Sequence, residues 1–232
     1  MITKYDADTR GRTRLDWLDG RHSFSFGGWY DPERMGFRTL RVLNDDRVEP
    51  ASGFGTHPHR DMEIVTWILE GALEHKDSMG NGSIIRPGDA QRMSAGTGVL
   101  HSEWNSSPDE RVHLLQIWIL PEEEGLDPGY EERHFEDADL DGSLRLVASR
   151  DGRDGSVTIH QDAEIRIGRL AAGSGVAHPV AAGRHVYVHT ARGEAEVNGV
   201  PVEEGGGVAL SDEPEVRIRA TADSEVVLFD LA

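Results

Sequence analysis

At 232 residues the chain spans one large domain or two small ones, and its 37% hydrophobic residues with 27 glycines exclude a disordered chain. With 24 Lys and Arg against 42 Asp and Glu, the formal net charge of −18 repels phosphate backbones and anionic membrane surfaces, which argues against direct nucleic-acid or membrane partners. The absence of cysteine excludes disulfides, iron–sulfur clusters and zinc ribbons, so any metal must be held by His, Asp or Glu.

Residues 1–20 are too charged to contain a signal-peptide core, and no run reaches the ~18 apolar residues of a membrane span, so a cytoplasmic protein is expected. The segment HSFSF at 22–26 puts Phe24 and Phe26 on one strand face, as core or as a cap over a pocket. Turn signals then recur at Asp31-Pro32, at 44–46 (NDD), at Gly53 to Gly55, Gly71, 80–82 (GNG), 87–89 (PGD), 96–98 (GTG) and Ser107-Pro108. Between them lie short runs rich in β-branched and aromatic residues, such as EIVTWIL at 63–69 and VHLLQIWIL at 112–120. Turns every ~8–12 residues with such runs between them predict an all-β sandwich or barrel. Residues 122–139 are acidic, lack alternation and read as a connector, which places a domain boundary there: residues 1–135 form one domain and 136–232 a second.

The second half echoes the first. ILEGALE at 68–74 aligns with TARGEAE at 190–196, matching Gly71 to Gly193, and PGD at 87–89 aligns with EGG at 204–206. Two similar β-barrels in tandem is the economical reading.

Chemistry concentrates in GFGTHPHRDME at 53–63 and GTGVLHSEWN at 96–105. On a strand, residues i and i+2 share a face, so His57 and His59 present both imidazoles on one side, as His101 and Glu103 present theirs. Two such strands on opposite walls of a small barrel would converge four ligands on one divalent ion and leave open coordination positions, as a catalytic site requires. Pro58 between the two imidazoles is tolerated only at a sheet edge, a strand start or a bulge. Carrying the repeat offsets forward places the second barrel's equivalents at Pro179, Ala181, Ile218 and Ala220, none of them a ligand, so the metal is expected in the first barrel alone. His178, His185 and His189 are read as structural or surface residues, Gln116 as a partner for a ligand or a polar group in the pocket, and Arg60 with Asp61 as a solvated pair.

These segments resemble the two cupin motifs. Together with EHKDSMGN at 74–81, RPGD at 86–89, MSAGTG at 93–98 and QIWILP at 116–121, they closely resemble the pirin family of bicupins over about residues 15–135. The second half resembles it more loosely through DGS at 154–156, HQD at 160–162 and EVVLFD at 225–230. The resemblance implies two tandem cupin, jelly-roll-like β-barrels, the second degenerate, with one divalent metal in the first. It makes His57, His59, His101 and Glu103 the ligands, with Glu63 in reserve because it stands where the general cupin motif places its carboxylate. Iron(II) is the implied ion, and Ni2+, Mn2+, Co2+, Cu2+ or Zn2+ suit the same donors. Pirin-like proteins act as quercetin 2,3-dioxygenases, which insert both atoms of O2 into a flavonol, release carbon monoxide and leave a phenolic ester. In that role Glu103 would take the proton of the flavonol 3-hydroxyl. The alternative is a non-enzymatic, metal-containing, redox-responsive protein whose acidic face docks a regulator or a metabolic enzyme. Sugar isomerisation suits the cupin scaffold too, but no cluster of basic residues is present to bind a phosphate.

Overall fold

The computed structural model describes all 232 residues. The chain opens with β1 (Ile2–Tyr5), β2 (Gly11–Arg14), β3 (Leu18–His22), β4 (Leu40–Val48), β5 (Ser52–His59) and β6 (Glu63–Glu70). It continues with β7 (Leu73–Asp77), β8 (Gly82–Ile85), β9 (Asp89–Ser94), β10 (Val99–Asn105), β11 (Val112–Ile119) and β12 (Gly129–His134). A single helical turn, α1 (Asp137–Leu140), leads to β13 (Arg145–Ser149), β14 (Val157–Thr158), β15 (Ala163–Leu170), β16 (Gly175–Pro179) and β17 (His185–Arg192). The last strands are β18 (Ala195–Val197), β19 (Val200–Val202), β20 (Gly207–Ser211), β21 (Glu215–Ala220) and β22 (Ser224–Leu231). No helix is long and apolar enough to cross a membrane.

The strands form two cupin barrels, each a seven-stranded sheet closed by a four-stranded one. The first has the order β12-β9-β6-β11-β4-β3-β2 over β5-β10-β7-β8, the second β1-β20-β17-β22-β15-β13-β14 over β16-β21-β18-β19. The internal repeat is therefore structural. Gly71 and Gly193 occupy equivalent turns, both with positive φ (75° and 72°), and a side chain at either would strike the backbone of Arg111 or Asp223.

The large sheets pack on each other. One cluster of 25 buried residues joins Leu43, Val65, Trp67, Leu115 and Ile117 of the first barrel to Ile165, Ile167, Tyr187, Val227 and Phe229 of the second. This explains why β6 and β11 read as continuous apolar runs: one face lines a barrel and the other lines the seam, so neither meets water.

Several expectations change. The 44–46 stretch is no turn but lies inside β4, because each polar side chain there points either into the barrel or into the seam. Residues 122–139 contain a strand, β12, which completes the edge beside β9. Phe24 and Phe26 part company because β3 ends at His22: Phe24 is fully buried in the seam beside Tyr5 and Tyr187, whereas Phe26 packs on His22 and Trp118. Chain order also puts residues 2–5 with the first barrel, yet β1 pairs with β20 of the second, from Ile2 opposite Leu210 to Tyr5 opposite Gly207.

Inside, the barrels differ. The second is filled by 13 buried apolar residues in one cluster, including Val216, Ile218 and Ala220. In the first, the apolar interior is split into clusters of seven and four residues. Between these lies a polar band containing His22, Asn44, Asp46, His75, His101, Glu103 and Gln116, all buried.

Candidate metal centre

β5 and β10 are not opposite walls but antiparallel neighbours in the four-stranded sheet, with His101 directly opposite His57 and Val99 opposite His59. The convergence thus comes from cross-strand pairing, and a register shift between His101 and Glu103 bulges β5 by one residue at 55–56. Pro58 is tolerated because β5 is the sheet's edge. Gly53 is required by close approach, since a Cβ there would lie 2.2 Å from the Glu103 carbonyl oxygen.

The three imidazoles meet. One ligand nitrogen from each of His57, His59 and His101 lies within 4.8 Å of the others, and ring centroids are 4.4 to 4.8 Å apart. Their tautomers suit a metal. Nδ1 of His57 is 2.8 Å from the Gly55 carbonyl, which can only accept, so Nδ1 carries the hydrogen and Nε2 offers its lone pair. Nε2 of His101 is buried without any hydrogen-bond partner, an orphan that a cation would satisfy. Behind His101, its Nδ1 lies 3.5 Å from Nδ1 of His75, whose Nε2 is 3.3 Å from the Asp77 carboxylate. Asp77 makes His75 a donor at Nε2 and hence an acceptor at Nδ1, so the hydrogen on His101 sits at Nδ1 and its Nε2 stays free. Burial lowers His59 to about 4 and His101 to about 3, helped by the neighbouring imidazoles, so both rings are neutral at physiological pH.

Glu103 borders the same cavity but stands outside the three-imidazole group. The Gln116 amide donates to both its oxygens, at 2.8 and 3.0 Å, and accepts at Oε1 from the Thr66 hydroxyl at 3.1 Å. Burial pushes the Glu103 carboxyl up, with Gln116 opposing. Glu63 turns to the seam instead, where it accepts from the Ser94 hydroxyl at 2.9 Å and from the His160 backbone N–H at 3.2 Å. Arg60 and Asp61 form no pair; Asp61 accepts from the Gly125 backbone N–H at 2.7 Å.

In front of the imidazoles is a cavity of about 490 Å³. Trp17, Phe26, Phe54 and Trp118 wall it with aromatic faces, and Asn44, Asp46 and His22 form a polar wall on the large sheet. Trp118 meets His59 edge-on at 4.9 Å. The sequence reading missed Asp46, His22, Asn44, Trp17, Trp118 and the His75–Asp77 pair as parts of the site. The last had a signal: like the ligand pairs, it is an i, i+2 pair on one strand face.

The second barrel repeats the scaffold with other side chains. There β16 and β21 place Val176 opposite Ile218, so the register runs three residues earlier on β16 than the sequence offset to Pro179 implies. Of the remaining histidines, His178 is 2.7 Å from the Asp230 carboxylate and His185 2.7 Å from the Ser211 hydroxyl, both structural bonds.

Comparison with known proteins agrees with the geometry. Residues 5–119 match the Pirin family model, and residues 146–231 match the quercetinase C-terminal cupin domain. A protein of Escherichia coli (strain K12) named quercetin 2,3-dioxygenase is 49% identical over 231 residues, covering 100% of this chain and 99% of its own. The crystal structure of YhhW from Escherichia coli superposes with a TM-score of 0.96 at 49% identity, covering 100% of this chain and 98% of that one. A structure of bacterial pirin YhhW in complex with nickel(II) gives 0.94 at 48% identity, covering 100% and 99%. With both barrels matched and a full-length relative identical at nearly half of its positions, the chain belongs to the pirin family.

Proposed function

We propose that this chain is a metal-dependent dioxygenase that opens the heterocycle of flavonols such as quercetin with O2, releasing carbon monoxide and leaving a phenolic ester. The observation that carries this reading is three imidazoles, each with a nitrogen free to bind a metal, facing a cavity walled by four aromatic side chains. The full-length relative named quercetin 2,3-dioxygenase supports it.

His57, His59 and His101 would hold the ion, with Glu103 as the fourth ligand. Iron(II) suits this donor set, as does the nickel(II) of the YhhW complex. When bound, the metal supplies Lewis-acid stabilisation of a substrate oxyanion and electronic coupling to O2. The protein's own residues do the rest. Glu103, positioned by Gln116 as a labile ligand, accepts the proton of the flavonol 3-hydroxyl. Trp17, Phe26, Phe54 and Trp118 sandwich a planar ring system and keep bulk water off the deprotonated flavonol.

The test is oxygen uptake and carbon monoxide release on quercetin by protein loaded separately with Fe2+, Mn2+, Ni2+, Co2+ or Cu2+. Turnover should depend on the ion, and His101→Ala should abolish it. Metal-loaded protein that turns over no flavonol would instead favour a redox-responsive docking protein using the same centre.

A further inference from the structure

Adjacent carboxyls on β4 have opposite surroundings. Asp45 faces the seam, where burial alone would raise it, but His113 at 2.7 Å, Arg10 at 3.0 Å and Arg47 at 3.0 Å hold it below the usual carboxylate range. Asp46 faces the barrel interior and borders the cavity, 4% exposed, on the large sheet across from the imidazole strands. Its Oδ1 is buried with no hydrogen-bond partner, lodged against Gly20, where a Cβ would lie 2.7 Å away.

The other acidic, amide and imidazole groups on that wall have partners. Asn44 and His22 bond each other at 2.8 Å, His22 reaches the Thr13 hydroxyl at 2.8 Å, and Gln116 bridges Thr66 to Glu103. Only the indole N–H of Trp118 shares the unmet condition of Asp46. Burial, reinforced by the carboxylates of Asp45, Glu103 and Asp19, pushes Asp46 well above its ordinary value. A neutral carboxyl carries one O–H donor, and buried donors without partners are rare in folded proteins unless a ligand supplies the acceptor.

We propose that Asp46 is a specificity-determining residue whose carboxylic acid donates a hydrogen bond to a substrate oxygen on the part of the flavonol remote from the metal. The proposal rests on the flavonol reading of this cavity and adds to it: the site selects oxygenated ring systems rather than any planar aromatic. A wall built to meet a hydroxyl or carbonyl rejects the analogue that lacks it.

The experiment uses metal-loaded protein under anaerobic conditions, so that ligands bind without turnover. Tryptophan fluorescence reads the affinity for quercetin and for flavonols stripped of single hydroxyls down to 3-hydroxyflavone, in wild type, Asp46→Asn and Asp46→Leu. For one hydroxyl, wild type should discriminate by at least roughly tenfold, Asp46→Leu should bring that ratio close to one, and Asp46→Asn, which keeps a donor, should retain most of it. Infrared difference spectra give a second readout, independent of whether the leucine variant folds. Wild type at neutral pH should show a protonated-carboxyl band that moves when quercetin binds and is missing in Asp46→Asn. Discrimination unchanged in Asp46→Leu, or no such band, overturns the role of Asp46. Asp46-dependent discrimination without oxygen uptake on readmitting air supports Asp46 and overturns the dioxygenase reading alone. Failure of every flavonol to bind overturns both.

Discussion

His101 is the most constrained side chain of the centre. It is 2% exposed and linked through His75 to an Asp77 carboxylate that also accepts from Asn81 and from the Met79 backbone N–H. Partners behind a ligating imidazole fix its tautomer and orientation, and their loss typically costs 10–100-fold in metal affinity. His75→Phe keeps the ring stacked on Tyr130 at 5.1 Å but removes both nitrogens, so Ni2+ affinity by calorimetric titration should fall by about 10–100-fold with little change in thermal stability of the metal-free protein. Unaltered affinity would mean that packing alone orients His101. The identities of the three histidines were legible in the sequence because strand alternation is a local rule. His75 belongs to the same rule, but its contact with His101 arises only where β7 pairs with β10.

The elements that hold the centre are an edge strand and its neighbour, and the weak point is their closest approach. Gly53 lets the β5 backbone lie against Glu103 and Trp104. Gly53→Ala should force the strands apart, lowering stability by about 1–3 kcal/mol, as overpacking does, and displacing Glu103 from Gln116. Thermal unfolding of the metal-free protein measures the first effect and metal titration the second. If both stay at wild-type values, the close approach does not govern the site. The turn glycines and the proline of β5 were readable as punctuation. What punctuation could not reveal is that Gly53 to Gly55 lies inside a strand, because a close approach is a property of two chains.

At the scale of the molecule, the two barrels share one apolar seam and exchange an edge through β1, so they should unfold together. The seam has a polar end where His189 is fully buried with neither ring nitrogen partnered. Burial, aided by Arg10, lowers His189 to about 3. Between pH 6.5 and that value the unfolded chain takes up a proton that the folded chain refuses, so stability falls as pH falls through this window. At pH 5 the loss from His189 is about 2 kcal/mol. In urea titrations of metal-free protein, the drop in stability from pH 7 to pH 5 should therefore be smaller by about that amount in His189→Leu than in wild type. An equal drop in both would place the acid sensitivity elsewhere.

By itself the sequence determined the class of strands and turns, the twofold repeat and the two His-bearing strand segments, because alternation, turn chemistry and i, i+2 spacing are settled within a few residues. Its own wording also carried the family resemblance. Tertiary structure decided which strands are neighbours: β5 beside β10 rather than across from it, β1 on the far barrel, and Glu63 turned to the seam while Glu103 turns to the cavity. It alone separated Asp45 from Asp46, since one residue of pleat sends their carboxyls to opposite faces of a sheet, and what waits on each face is supplied by chain far away in sequence.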